Sequence, residues 1–386
     1  MKLLYCIPSL YNPGGMERVL TEKVNYLVNV GDFNITVVTT DQMGKSLRFP
    51  LDIHIRVVHL DIDFNGHYSA GIFKKILLHR KKIAIYREKL IKIINESRID
   101  VCISLCGKEI DFLYKLPVNC KKVAELHFAL NYRKQFLMSN HNGVLWRILG
   151  EIRTCQLKKA VKTLDRLVVL TQNDLKDWQL IQNNVIQIPN INPLINPVKS
   201  KKTAKRVLSL GRLDAQKGHD MLIDAWRLIA RRFPTWTLEI YGQGEWYKKL
   251  QAQIINYNLQ EKIILKGIVC NVEKVYCESS IFVLSSRYEG FGMVLIEAMS
   301  CGLPVVSFDC EHGPREIIND EHDGFLVEPN NIEMLADKIC FLMENETSRI
   351  SMGCNAIESV KRFSKETIMR KWIELFYQIN LNTHSL

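Results

Sequence analysis

The chain has no run of 18 apolar residues, so no transmembrane helix is expected, although 47% of its 386 residues are hydrophobic. It has no CxxC pair. Its 11 cysteines are scattered, and Cys102 and Cys106 lack companion His or Cys residues, which argues against zinc. Reduced thiols in a cytoplasmic protein fit this usage. The GxGxxG spacing of a dinucleotide fingerprint is missing. So is any helix-turn-helix, finger or RNA-binding signature, and no nucleic acid partner is expected. The opening MKLLYCIPSLYNPGG lacks a small-x-small site, and Pro8 interrupts its short apolar stretch. It reads as a first strand rather than a signal peptide.

Positive charge is present in excess, and in one half only. Residues 1–195 carry 28 Lys and Arg against 17 Asp and Glu, a net of +11, whereas residues 196–386 carry 24 of each. An anionic membrane surface or a pyrophosphate-bearing acceptor would match that asymmetry. Residues 69–97 concentrate the charge. Lys74, Lys75, Arg80, Lys81, Lys82 and Lys89 alternate there with Ile72, Phe73, Ile76, Leu77, Ile83, Tyr86, Leu90 and Ile94, as in a basic amphipathic helix. An apolar stripe packed on the domain's own sheet, with its lysines in water, would produce the same pattern.

Strands and helices alternate along the whole chain. KLLYCIP reads as a strand. Gly14-Gly15 in the following loop precede a helix with Val19, Leu20, Val24 and Leu27 on one side. Strand, glycine turn and helix start form a phosphate-site pattern, weak by itself because many turns contain Gly-Gly. ITVVTT, IHIRVVHL, DVCISL, KKVAELHFAL, RLVVLT and VIQIPN continue the strands, with His127 at the end of KKVAELHFAL and a helix over 143–163. INPLINPVKSKKTAK reads as a linker. RVLSLGRL opens a second series, with helices over 218–231, 245–257, near 271–278, 331–344, 346–360 and 365–380. Two βα series predict an α/β protein of two doubly wound Rossmann-like domains facing across a cleft. The expected bounds are 1–192 and 196–364, with the C-terminal helix 365–386 packing back on the first. Ligands in such sheets sit at the carboxyl ends of the strands.

The densest stretch is Ser285–Cys301, SSRYEGFGMVLIEAMSC, between the strands IFVLSS and LPVVSF. Its loop carries Tyr288, Glu289, Gly290, Phe291 and Gly292, and its helix opens at Gly292, followed by Met293 and Val294. Two glycines let the backbone approach a ligand, and the free N–H groups of a helix start suit a phosphate. Glu289 and Glu297 can each hold two hydroxyls, one on either side of that phosphate. Glu297 lies in an apolar helix, which predicts a buried, partnered carboxylate.

EGFGMVLIEAM resembles the signature of the family-4 retaining glycosyltransferases with the GT-B fold: Glu, seven residues, Glu, with Phe-Gly after the first. SLGRLDAQKG, YGQGE, LKGIV, NPGGMERV and HFAL are similar to further segments of that family, and IPNINPL to its IPN, without the usual following glycine. CEHGPREII resembles a branch found in bacterial exopolysaccharide and O-antigen assembly, including amylovoran-type transferases. The resemblance implies that Arg212 and Lys217 clamp the donor diphosphate and that the backbone at Gly267 and Ile268 reads the base. It implies that Glu289 and the Gly290–Val294 segment hold the donor sugar and phosphate, that Glu297 holds the ribose, that Gly14 and Gly15 face the diphosphate, and that His127 lies near the reacting sugar. It implies transfer of a hexose or N-acetylhexosamine from a nucleotide diphosphate sugar, with UDP expected, and with retention through front-face attack. The glycan acceptor would be lipid-linked, at the inner face of the cytoplasmic membrane. No metal or other cofactor is expected, since cationic side chains and helix ends take its place. Asp61-Ile62-Asp63 imitates the DxD of metal-dependent transferases but ends a strand-like run in the wrong context. A soluble-acceptor transferase and an inactive nucleotide-sugar binding module remain alternatives.

Overall fold

The computed structural model describes residues 1–64, 66, 72–130, 135, 143–269 and 271–381. They form two compact units. One gathers Met1–Lys134, Val144–Ile191 and Lys365–Leu386, and the other Gln135–Gly143 and Asn192–Ser364.

The first unit is built on β1 (Lys2–Ile7), β2 (Asn34–Thr39), β3 (Arg56–His59), β4 (Val101–Ser104), β5 (Lys121–Glu125), β6 (Arg166–Val169) and β7 (Val185–Gln187), with α1 (Gly15–Val30), α2 (Ile72–Ser97), α3 (Val144–Val161) and α4 (Gln172–Gln179). The strands are all parallel, in the order β3-β2-β1-β4-β5-β6-β7. Parallel strands are covered on both faces, which is why β1 and β4 read as continuous apolar runs. Leu3, Tyr5 and Ile7 face one core with Leu20, Val24 and Leu27 of α1. Leu4 and Cys6 face the other with Tyr86, Leu90 and Trp178.

The second unit has β8 (Arg206–Leu210), β9 (Thr237–Tyr241), β10 (Ile263–Gly267), β11 (Ile281–Leu284), β12 (Val305–Phe308) and β13 (Gly324–Val327), again all parallel, in the order β10-β9-β8-β11-β12-β13. Its helices are α5 (His219–Ile229), α6 (Tyr247–Asn256), α7 (Val272–Cys277), α8 (Met293–Ser300), α9 (Pro314–Ile317), α10 (Ile332–Glu344) and α11 (Glu346–Ser359). The last helix, α12 (Lys365–Leu381), leaves this unit and buries Trp372 and Phe376 against the α1 face of the first sheet.

Both sheets reverse strand order at their first strand, between β1 and β4 and between β8 and β11. At such a switch point the flanking loops diverge and leave a crevice at the carboxyl ends. The loops after β8 and β11 carry Arg212, Lys217 and Glu289, with Glu297 on the helix that follows and Gly267 and Ile268 at the end of β10.

The apolar stripe expected along 69–97 is not continuous. Tyr86, Leu90 and Ile94 are buried, and Lys89 Nζ donates to the Leu60 carbonyl at 3.1 Å. Nearer the start of α2, Ile76 and Leu77 are exposed together with Lys74, Lys75, Arg80 and Lys81. The side chains of Ile72 and Phe73 lie outside the described residues. No described helix is long and apolar enough to cross a membrane.

Candidate functional site

The loops after β8 and β11 are fastened to each other by backbone and side chain. The Arg287 N–H donates to the Gln216 carbonyl at 2.8 Å, and Gln216 Nε2 donates to the Tyr288 carbonyl at 3.1 Å. The Arg287 guanidinium grips Asp220 at the start of α5 through two bonds of 2.9 and 2.8 Å, the bidentate fit that arginine makes with a carboxylate. Gly218, at φ 61°, lies so close to β11's loop that a Cβ would stand 2.0 Å from the Ser285 carbonyl oxygen. Only glycine fits there.

This fastening brings Lys217 and Glu289 together. Lys217 Nζ lies 2.6 Å from Glu289 Oε1, and Ser286 Oγ donates to the same oxygen at 2.6 Å. Lys217 is 14% exposed and Glu289 7%, so Lys217 is not the solvated loop lysine that a basic loop suggests. Both bonds end on Oε1, leaving Oε2 to accept from a ligand. Arg212, 60% exposed and bonded to Gln216 Oε1 (2.7 Å) and Asp214 Oδ2 (3.1 Å), is the outward-facing cation of this strand end. His219 adds no charge, because burial and then the neighbouring Lys217 hold its imidazole down to about 4. Burial, followed by the Glu289 charge, pushes the Cys310 thiol well above its usual range, so it stays protonated.

Beyond Glu289, Gly290 leads to Phe291, whose ring packs edge-on against Phe363 at 5.6 Å. Gly292, at φ 94°, turns the chain into α8, which starts at Met293 and Val294 without a side-chain cap. Its first N–H groups and positive dipole end therefore suit an anion. Glu297, on the second turn, is buried, as the apolar helix predicted, and accepts from Tyr276 Oη at 2.9 Å. Tyr276, on α7, was not singled out from the sequence. The signal was indirect: a buried carboxylate needs a donor, and α7 precedes the same strand. Gly267 ends the edge strand β10 at φ 73°, its carbonyl accepting from the Gly242 N–H at 2.7 Å, and Ile268 beside it is half exposed. They lie two strands away from β8 in the sheet order.

In the first unit, Gly14 caps α1 and Gly15 begins it. Glu17 folds back over them, so that a Cβ on Gly14 would stand 2.2 Å from its Oε2. Burial raises the Glu17 pKa, opposed by hydrogen bonds from its own N–H and Asn12 and by the nearby His127. The glycine loop expected to face a diphosphate thus already carries one of the chain's own carboxylates. His127, two residues beyond β5, is buried, with Nε2 3.2 Å from Glu125 Oε1. Asp61 and Asp63 both have left-handed backbone, φ 44° and 59°, and Asp61 Oδ1 accepts from the Met43 N–H at 2.7 Å. Among the described residues no group of three or more His, Cys, Asp or Glu is arranged to hold a metal ion.

Residues 191–359 match the family model described as Glycosyl transferases group 1. An uncharacterized glycosyltransferase of Methanocaldococcus jannaschii is 30% identical over 353 residues, covering 78% of this chain and 84% of the relative. One of Haemophilus influenzae is 28% identical over 376 residues, 96% of this chain and 98% of the relative. The amylovoran biosynthesis glycosyltransferase AmsD of Erwinia amylovora is 32% identical over 222 residues, 55% of this chain and 62% of AmsD. Among solved structures, a mutant of S. aureus TarM in complex with fondaparinux, alpha-GlcNAc-glycerol and UDP superposes with a TM-score of 0.80 at 20% identity, covering 97% of this chain and 99% of that one. Anabaena HepE in complex with UDP and glucose superposes with a TM-score of 0.75 at 19% identity, covering 98% and 99%. At these identities the structures establish a shared fold: GT-B, with two Rossmann-like units.

Proposed function

Because the chain belongs to the group 1 glycosyl transferases, we propose that it moves a hexose or N-acetylhexosamine from a UDP-sugar, with retention, to a lipid-linked surface polysaccharide or oligosaccharide under assembly. The observation that carries this reading is the Lys217–Glu289 pair at the switch point of the second sheet, with Arg212 and the start of α8 beside it. A diphosphate gains charge as its bond to the sugar breaks, and fixed positive groups stabilise that charge most when they are already in place. Arg212 offers a planar fork to it, and Lys217 shares an ammonium already steered by Glu289. Oε2 of Glu289 would accept from donor sugar hydroxyls, and Glu297 would hold the ribose. His127 would contact the transferred sugar. The UDP held in two of the structural neighbours, and the amylovoran biosynthesis relative, support the donor and the acceptor class. The reading is tested by screening the purified protein against UDP-, GDP- and ADP-sugars for binding and slow hydrolysis. Binding of none of them would remove it.

Activity is expected to persist in excess chelator, because Arg212, Lys217 and the α8 N-terminus supply the positive potential a metal would otherwise bring. Complete loss of turnover in chelator, restored by manganese or magnesium, would transfer the diphosphate role to a metal and direct attention to Asp61 and Asp63.

The proposed acceptor places the protein on the inner face of the cytoplasmic membrane. Two exposed faces of the first unit support this. The start of α2 presents Ile76 and Leu77 among Lys74, Lys75, Arg80 and Lys81, while α3 presents Val144 and Leu145 (74% and 73% exposed), Ile148 and Ile152. Apolar side chains ringed by cations suit anionic lipid, each Lys or Arg contributing about 1 kcal/mol near the surface. Co-sedimentation with phosphatidylglycerol vesicles is expected at low salt, weakening as salt rises and when Lys74, Lys75, Arg80 and Lys81 become Ser. Protein left in the supernatant at low salt would favour a soluble acceptor.

A further inference from the structure

A buried charge cluster lies against His127 in the first unit. Lys23, from α1, and Glu125, the last residue of β5, are each 1% exposed, and Lys23 Nζ meets Glu125 Oε1 at 2.5 Å. The same oxygen stands 3.2 Å from His127 Nε2. The Lys23 ammonium also lies 3.7 Å from the centre of the Trp372 ring, brought in by α12, and 5.8 Å from that of Tyr5 in β1. Burying two charges is costly, and an apolar pair of similar volume often stabilises a core as well or better. An ion pair at this depth is therefore weak evidence of a purely stabilising role.

The electrostatics run in one direction. Burial acts to raise the Glu125 pKa, but Lys23 and then His127 pull it down to about 2, so the carboxylate is ionised throughout the neutral range. Burial lowers the Lys23 pKa, and Glu125 opposes that shift. Glu125 Oε2 and His127 Nε2 have no hydrogen-bond partner of good geometry among the described residues. The carboxylate thus keeps acceptor capacity, and His127 Nε2, 3.2 Å from Oε1, is within donor distance of it. A histidine whose one ring nitrogen donates to a carboxylate has its tautomer and ring orientation set by it. Glu17 on α1 is the second carboxylate facing His127, and the buried Tyr5 hydroxyl lies near Glu125.

We propose that Glu125 is a positioning residue: anchored by Lys23 beneath Trp372, it accepts from His127 Nε2 and directs Nδ1, across the ring, toward the transferred sugar. This rests on the reading of His127 as a contact of that sugar. Through Trp372 it also gives the C-terminal helix a part in the chemistry, since α12 covers the lysine that anchors Glu125.

The test uses the full chain with 15N-labelled histidine and UDP-glucose or UDP-GlcNAc as donor. In the wild type, the signal that disappears in His127→Ala should report a proton on Nε2 and a bare Nδ1. The double variant Lys23→Met with Glu125→Leu removes both charges together and so avoids leaving one buried alone. It should keep its circular dichroism and its UDP affinity, because the nucleotide is read as bound by the second unit. Its kcat should fall roughly 100-fold with little change in KM, and the His127 signal should spread over both tautomers. Glu125→Gln, which keeps an acceptor but not the charge, should retain the Nε2–H form, lose roughly 10-fold in kcat and shift the acid limb of its pH profile. A folded double variant with wild-type kcat and an unmoved tautomer would overturn the proposal. If that variant does not fold, wild-type kcat and pH profile in Glu125→Gln would overturn it instead. Failure of the transferase reading shows separately, as a wild type that hydrolyses neither donor while the tautomer readout still responds to Glu125.

Discussion

Lys217→Ala is expected to lower turnover roughly 100-fold or more, because it removes a cation whose contact with the diphosphate strengthens as the leaving group gains charge. The same substitution strips Glu289 of its 2.6 Å partner and leaves it with Ser286 alone at 7% exposure. A charged hydrogen bond in such a setting is worth about 2 kcal/mol, so a melting temperature lower by a few degrees should accompany the kinetic loss. The circular dichroism spectrum at 25 °C should be unchanged, since the loops remain fastened by Arg287–Asp220 and by Gln216. Steady-state kinetics on a UDP-sugar and a thermal melt separate the two effects. Wild-type turnover in a variant that melts early would leave Lys217 a structural partner of Glu289 and nothing more.

The two glutamates are expected to fail differently. Glu289→Gln keeps the shape of the loop but weakens the hold on the Lys217 ammonium and on donor sugar hydroxyls. Turnover should fall by roughly 100-fold, with UDP affinity within a few-fold of wild type. Glu297→Ala should instead weaken binding of UDP itself, since that carboxylate is read as holding the ribose; loss of a charged hydrogen bond corresponds to about a 10-fold change. Tyr276→Phe should shift UDP affinity in the same direction by less, because the hydroxyl acts on the ribose through Glu297. Titration calorimetry with UDP, set beside kcat for each variant, decides the matter. A Glu289→Gln protein that loses UDP, beside a Glu297→Ala protein that binds it normally, would show that the roles are exchanged.

Local features were legible in the sequence because local chemistry dictates them. Continuous apolar runs such as KLLYCI and VCIS become buried parallel strands, whose two covered faces leave no reason to alternate. Helix 245–257 is observed as α6, Tyr247–Asn256, and the helix near 271–278 as α7, Val272–Cys277, differing only at the frayed ends. Gly292 was legible as a turn into a helix, and it has the left-handed backbone such a turn requires. The short helices α4 and α9 were not anticipated, because one or two turns carry too few residues to display a period.

Contacts between distant segments were beyond the sequence's reach. Lys217 and Glu289 are 72 residues apart, and periodicity gives no reason to join them. They meet because β8 and β11 are neighbours at the point where the strand order reverses, and that order follows from which crossovers pack, not from any one segment. Tyr276 reaches Glu297 by the same route. Lys23 and Glu125 are 102 residues apart, and the ring over Lys23 belongs to α12, near the end of the chain. By itself the sequence determined two βα series, their glycine loops and the kinds of side chain available at each strand end, because each depends on a few consecutive residues. The tertiary structure alone decided which carboxylate meets which cation and how deeply each pair is buried, because burial belongs to the assembled sheet and sets the cost of every charge within it.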